Sequence, residues 1–139
     1  PSVEFYKYAP GLILWYRNLS YREGDNNVGI HPGEGFLLAV DAHSEPNMMK
    51  ENTPWGTAIQ LFDAAFSLNN IKPFFLMDLD QKIHEFSARA RPVFDDRSPY
   101  YSELDPDNSV RVPNMGLQIE VLDTSRDNSL ALIELRKSL

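Results

Sequence analysis

Residues 11–43 read GLILWYRNLSYREGDNNVGIHPGEGFLLAVDAH, and the spacing of their apolar and turn-forming residues decides the fold class. Two apolar runs, Gly11–Tyr16 and Gly35–Val40, are each too short for a helix and are bounded by Gly and Pro. Apolar on both faces, they read as buried strands. Between them lies a loop of turn chemistry in which Gly29, Gly33 and Gly35 are expected to take positive φ and Pro32 to fix a turn. Trp15, Tyr16, Phe36 and Leu38 are the expected core of this pair.

The remainder of the chain continues the pattern. Ala58–Phe62 and Ala65–Leu68 are plausible short strands. In GLQIEVLD, Leu117, Ile119 and Val121 alternate with Gln118 and Glu120, which predicts a strand with one buried face. SLALIELRK follows after Asp127 and Asn128, both turn residues, so the last two strands form a hairpin. Ten Pro and seven Gly, spread throughout, cut helices short. The one helical candidate is Asp80–Ala90, where Ile83 and Phe86 fall on one helical face. Ala90–Pro113 reads as a long loop, of a length that is often functional. These signals predict an all-β fold, a jelly-roll-like β-sandwich with long loops and at most one short helix. All 139 residues are expected to form a single domain.

Composition narrows the function. A chain of this length buries about 68% of its unfolded surface, and 42% hydrophobic residues are too many for a disordered chain. No apolar run approaches the roughly 20 residues of a membrane span. Thirteen basic residues, scattered, stand against twenty acidic ones, giving a net charge of −7, which speaks against nucleic acid as a partner. The absence of Cys excludes disulfides and thiolate zinc sites. The start at PSVEFYKYAPG, with neither Met nor a signal peptide, suggests a fragment of a longer protein.

Three acidic residues and two His between Asp25 and His43 raise the question of a metal or catalytic site. His31 and His43 are separated by Pro32, Gly33 and Gly35 and share no helical face. HExxH is absent, and His84 has Glu85 beside it but no second His four residues on. Hydrogen bonding of His31 and His43 to nearby backbone is the favoured reading. Oxygen ligands make the better metal hypothesis. Asp25, Asn27 and Glu34, with Asn26, form a candidate calcium site in a Gly-rich loop. Asp41 follows at the end of the next strand, and Asp105, Asp107 and Asn108 form a second acidic cluster. Ordinary turn chemistry explains both clusters as well. No Ser sits in a G-x-S-x-G elbow, and no Gly-rich phosphate loop opens a helix. Tyr6, Tyr8, Tyr100 and Tyr101 could stack on sugar rings or line the edge of the core. The segment Pro92–Tyr101 therefore motivates an alternative function, a module that binds carbohydrate or a surface protein.

The segment Gly11–His43 resembles the region that follows the protease domain in secreted bacterial metallopeptidases of the immune inhibitor A family. The resemblance rests on a Gly-Leu-x-x-Trp-Tyr strand, an Asp-Asn-x-x-Gly-x-His-Pro-Gly-x-Gly loop and a Val-Asp-x-His strand. QLFDAAFSL (Gln60–Leu68) and VPNMGLQIEVL (Val112–Leu122) are similar to later family blocks, whereas Asn69–Arg111 is only thinly similar. The resemblance implies a zinc endopeptidase as parent, with zinc confined to its catalytic domain, and this chain as a non-catalytic C-terminal accessory domain. The implied location is extracellular, and the implied partners are the parent's catalytic domain and its protein substrates. The family's HExxHxxGxxH motif matches no position here, so no catalytic residue carries over. The resemblance also implies a strand ahead of Gly11, for which Val3–Tyr8 is the candidate.

Overall fold

The computed structural model describes residues 9–48, 62–77 and 80–137. Every element in these segments is a strand: β1 (Leu14–Arg17), β2 (Leu37–Val40), β3 (Ile71–Met77), β4 (Ile83–Ala88), β5 (Val93–Asp95), β6 (Leu117–Thr124) and β7 (Ala131–Lys137). Pairing is antiparallel throughout, in three small sheets ordered β1-β2, β3-β4 and β5-β6-β7. The all-β expectation holds.

The first sheet comes from the 11–43 stretch, with Trp15 opposite Ala39 and Tyr16 opposite Leu38. The expectation that β1 is buried on both faces does not hold. Leu14 and Tyr16 are half-buried and pack against the core, while Trp15 and Arg17 point to solvent. Trp15 is 54% exposed and is not a core residue. The period of two outweighs hydrophobicity because the main core packs on the face of Leu14 and Tyr16, while the opposite face is covered at Ala39 but open at Trp15. Phe36 is half-buried under the guanidinium of Arg17, 4.9 Å from its ring centroid, and Leu38 is likewise half-buried.

The main core joins the first and third sheets. Val40, Ala42, Phe66, Phe94, Tyr100 and Val121 are buried together, with Leu12, Leu14, Tyr16, Val112 and Ile119 packed on them. Phe66 lies at the centre, edge-on to Phe94 at 5.8 Å and to Tyr100 at 6.1 Å, and Phe94 stacks on Tyr100 at 5.1 Å. Such aromatic pairs contribute about 0.5–1.5 kcal/mol beyond their buried area. Phe66 is anchored by reciprocal backbone bonds with Leu12, both 2.9 Å. Ala65–Leu68 is thus not a strand but two isolated bridges, Phe66 to Leu12 and Ser67 to Arg91. Ala58–Leu61 and Val3–Tyr8 lie outside the described residues, and Phe62 is in a turn.

The β3-β4 ribbon has its own small cluster, Leu76 and Phe86 with Phe62 and Phe74. Here the helix expected over Asp80–Ala90 is replaced by β4. Ile83 and Phe86 are three apart, which suits a helix, but the observed burial alternates. His84 and Phe86 point inward, and Ile83, Glu85 and Ser87 point out. Pairing with β3 decides the matter. The register shifts between Ile71 and Phe74, so Pro73 sits at a bulge where its missing N–H costs least. The predicted C-terminal hairpin forms as read, with Ile119 opposite Leu135 and Val121 opposite Ile133. Its turn holds Asn128 at φ 56°, a conformation Asn tolerates. The Ala90–Pro113 loop contains the short β5, which pairs with β6.

Candidate functional site

Two polar assemblies flank the β1-β2 sheet. The first is the loop that carries the candidate ligands. His31 is its hub: Nδ1 lies 2.6 Å from the Glu34 carbonyl oxygen and Nε2 lies 3.0 Å from Asp25 Oδ1. Both partners are acceptors, so both ring nitrogens donate and the imidazolium is the form that fits. The Glu34 carbonyl raises the His31 pKa above its ordinary value, partial burial opposes that, and Asp25 adds to the rise. The Tyr21 hydroxyl donates to Glu34 Oε2, and the Tyr21 ring packs against His31 at 4.7 Å. Asp25 and Glu34 are therefore brought together around one Tyr-His pair.

Asn27 contributes through its backbone, its carbonyl accepting from Ile30 at 3.0 Å and His31 at 3.2 Å. It is Asn26, not Asn27, whose side chain braces the loop, Oδ1 accepting from the Leu37 N–H at 2.8 Å. Of the three glycines expected at positive φ, only Gly33 takes it, at 77°. Gly35 sits close against the loop instead: a Cβ there would come within 3.2 Å of the Asn26 backbone. Gly33 also seats the second acidic loop. Its carbonyl accepts from Arg111 N at 2.8 Å, and the Arg111 guanidinium lies 3.5 Å from the Tyr101 ring centroid. Within that loop the buried Asn108 donates to Asp105 Oδ1 at 2.6 Å, whereas Asp107 is exposed.

The second assembly is buried at the end of β2. Asp41 Oδ1 accepts from the His43 N–H at 2.6 Å. The His43 ring bridges two distant backbone carbonyls, Asp63 O at 2.6 Å and Arg89 O at 2.9 Å. Arg91 donates to the Ala42 carbonyl and covers the Tyr100 ring at 5.2 Å. Burial, reinforced by the nearby Asp63 carboxylate, pushes the Asp41 pKa up to about 8. Asp63 is raised chiefly by burial, with His43 opposing, and Asp105 is also raised chiefly by burial. Asp41 therefore keeps its proton at neutral pH. A neutral carboxyl group is a poor calcium ligand and a good internal hydrogen-bond partner.

Chemically, this arrangement braces the fold. Neither His31 nor His43 presents a free ring nitrogen to a metal or a substrate proton. Both hydrogen-bond backbone carbonyls, as the sequence reading favoured. Among the described residues no group of three or more His, Asp or Glu is arranged to hold a metal ion. Tyr100 is buried and Tyr101 lies half-buried under Arg111, so both are core-edge residues rather than a sugar platform. Sequence reasoning missed Asp63 and Arg91. Their role depends on contacts across tens of residues, and no local spacing announces it. Among the described residues no helix is long and apolar enough to cross a membrane.

A family model, immune inhibitor A-like metallopeptidase, VEG domain, matches residues 2–133. The chain is 36% identical over 132 residues to the pre-pro-metalloprotease PrtV of Vibrio cholerae serotype O1, covering 94% of this chain and 14% of that protein. It is 32% identical over 134 residues to immune inhibitor A of Bacillus thuringiensis subsp. alesti, covering 93% of this chain and 19% of that protein. The chain thus spans less than a fifth of the curated relatives it matches. Its match over nearly its whole length places this chain in the immune inhibitor A-like metallopeptidase family, as a VEG domain.

Proposed function

We propose that this chain is a non-catalytic accessory domain of a secreted, extracellular immune inhibitor A-like metalloendopeptidase. In this reading it packs against the rest of that polypeptide and stabilises it or helps position protein substrates. The observation that carries the proposal is the pairing of a near-complete VEG-domain match with a sequence that has no HExxH zinc motif. Zinc then belongs to the catalytic domain of the longer protein.

The surface supports the same reading. The β6-β7 hairpin leaves Leu122, Leu130, Leu132, Ile133 and Leu135 exposed, with Leu132 at 60% and Leu135 at 64%. Apolar side chains concentrated on one hairpin mark a surface that another body covers. Beside it, an apolar groove of about 370 Å³ opens between β1 and β6, lined by Leu14, Tyr16, Val112, Met115 and Ile119. This groove continues from the core, so an apolar side chain of a neighbouring domain would extend the core outward.

The test is direct. The purified chain, incubated with denatured casein, releases no peptides beyond a buffer control. Hydrolysis that a zinc chelator abolishes would overturn the proposal.

A further inference from the structure

Trp15 is a large aromatic that stands outside the core, 54% exposed. It stands on the outer face of β1 opposite Ala39, a residue too small to cover an indole. From it runs a shallow groove of about 200 Å³ that is also lined by Asn26, Leu38, Asp107 and Ser109. The Leu37 N–H holds Asn26 Oδ1, which fixes the amide of this groove-lining residue and leaves its NH2 as the group that can donate. Asp107 is exposed and offers carboxylate oxygens.

A flat apolar platform, one oriented donor and one acceptor thus share a concavity smaller than the roughly 300–1,000 Å³ of drug-sized sites. One pyranose ring meets these demands. Its C–H face carries partial positive charge toward the electron-rich indole face. Its hydroxyls both donate, to a carboxylate, and accept, from an amide. The net charge of −7 and the carboxylate in the groove disfavour acidic sugars. We propose that Trp15, Asn26 and Asp107 form a subsite for one ring of a neutral saccharide. This site is independent of the accessory role, since a sugar-binding domain can accompany a peptidase or stand without one.

The test is titration of the ¹⁵N-labelled 139-residue chain with glucose, N-acetylglucosamine, cellotriose and chitotriose, with glycerol as the acyclic control. The readout is the indole N–H resonance of Trp15, assigned with Trp15→Phe, with Trp55 as internal reference. The expected result is a saturable shift of Trp15 with at least one of the sugars and none with glycerol. Affinity for one ring is on the order of millimolar. Asp107→Ala, on an exposed loop, keeps the rest of the spectrum and weakens binding about tenfold, as loss of a hydrogen bond to a charged group does. No saturable Trp15 shift up to the solubility limit of every sugar, or binding unchanged by Asp107→Ala, overturns the subsite.

Discussion

Asp41→Asn tests whether the buried carboxyl at the end of β2 governs how stability depends on pH. Asp41 is 2% exposed, and its pKa rises from 3.8 to about 8. Between those values the folded chain holds a proton that the unfolded chain has released. Stability therefore falls as pH rises through this window, by about 1.4 kcal/mol per pH unit, until the carboxyl ionises near pH 8. The full difference is roughly 5–6 kcal/mol as an upper bound, comparable with the net stability of about 5–15 kcal/mol of an ordinary domain. Asn keeps the side-chain oxygen that accepts the His43 N–H and carries no ionisable proton. Urea denaturation of both proteins from about pH 5 to about pH 9 gives the two profiles. His31 also loses its proton in this direction but is common to both proteins and cancels in the difference, whereas Asp63 and Asp105 interact with the Asp41 charge, so any change in their titration belongs to the effect of the substitution. The expected result is a gap in favour of Asn that widens up to about pH 8 and then levels off. Parallel profiles would refute the reasoning, because Asp41 would then ionise as freely folded as unfolded.

Other predictions follow from single contacts. Phe66→Ala removes the fully buried ring at the centre of the core and lowers unfolding free energy by about 3–5 kcal/mol, read from the urea midpoint at unchanged slope. Gly33→Ala forces a Cβ to 2.6 Å from Tyr101 Cδ2 at a positive φ, costing about 1–3 kcal/mol in the same assay. Tyr101→Ala in that background restores part of the loss. Asp25 and Glu34 already hold His31 and Tyr21, so a thermal melt in excess calcium is expected to match one in excess chelator. A rise of several degrees that chelator reverses would instead assign calcium to Asp25, Asn27 and Glu34.

Where the fold was legible, adjacent residues carried the signal. The β6-β7 hairpin is visible because Leu117, Ile119 and Val121 alternate with polar residues and Asp127-Asn128 marks the turn. The β4 strand was obscured because Ile83 and Phe86 satisfy a helical spacing while buried His84, a polar residue, carries half of the inward face. β3 went unread, and its Pro73 is accommodated at the bulge between Ile71 and Phe74. Trp15 was misplaced because hydrophobicity does not say which face of a strand has a partner. For the candidate site, the loop was legible as scaffold from its Gly, Pro and Asx content. The buried assembly of Asp41, His43, Asp63 and Arg91 was not, because its members come from residues 41 to 91 and meet only in three dimensions.

In the proposed function this domain supports a peptidase without taking part in its chemistry. The most direct measurement compares the proposed parent, an immune inhibitor A-like peptidase carrying this domain, with its Leu132→Ser, Leu135→Ser variant. Both thermal inactivation half-life and kcat/KM on a short peptide are read at a temperature where both proteins begin folded. The expected result is a shortened half-life with kcat/KM unchanged. An unchanged half-life together with a large loss of kcat/KM on the short peptide would contradict it and place this domain within the catalytic machinery.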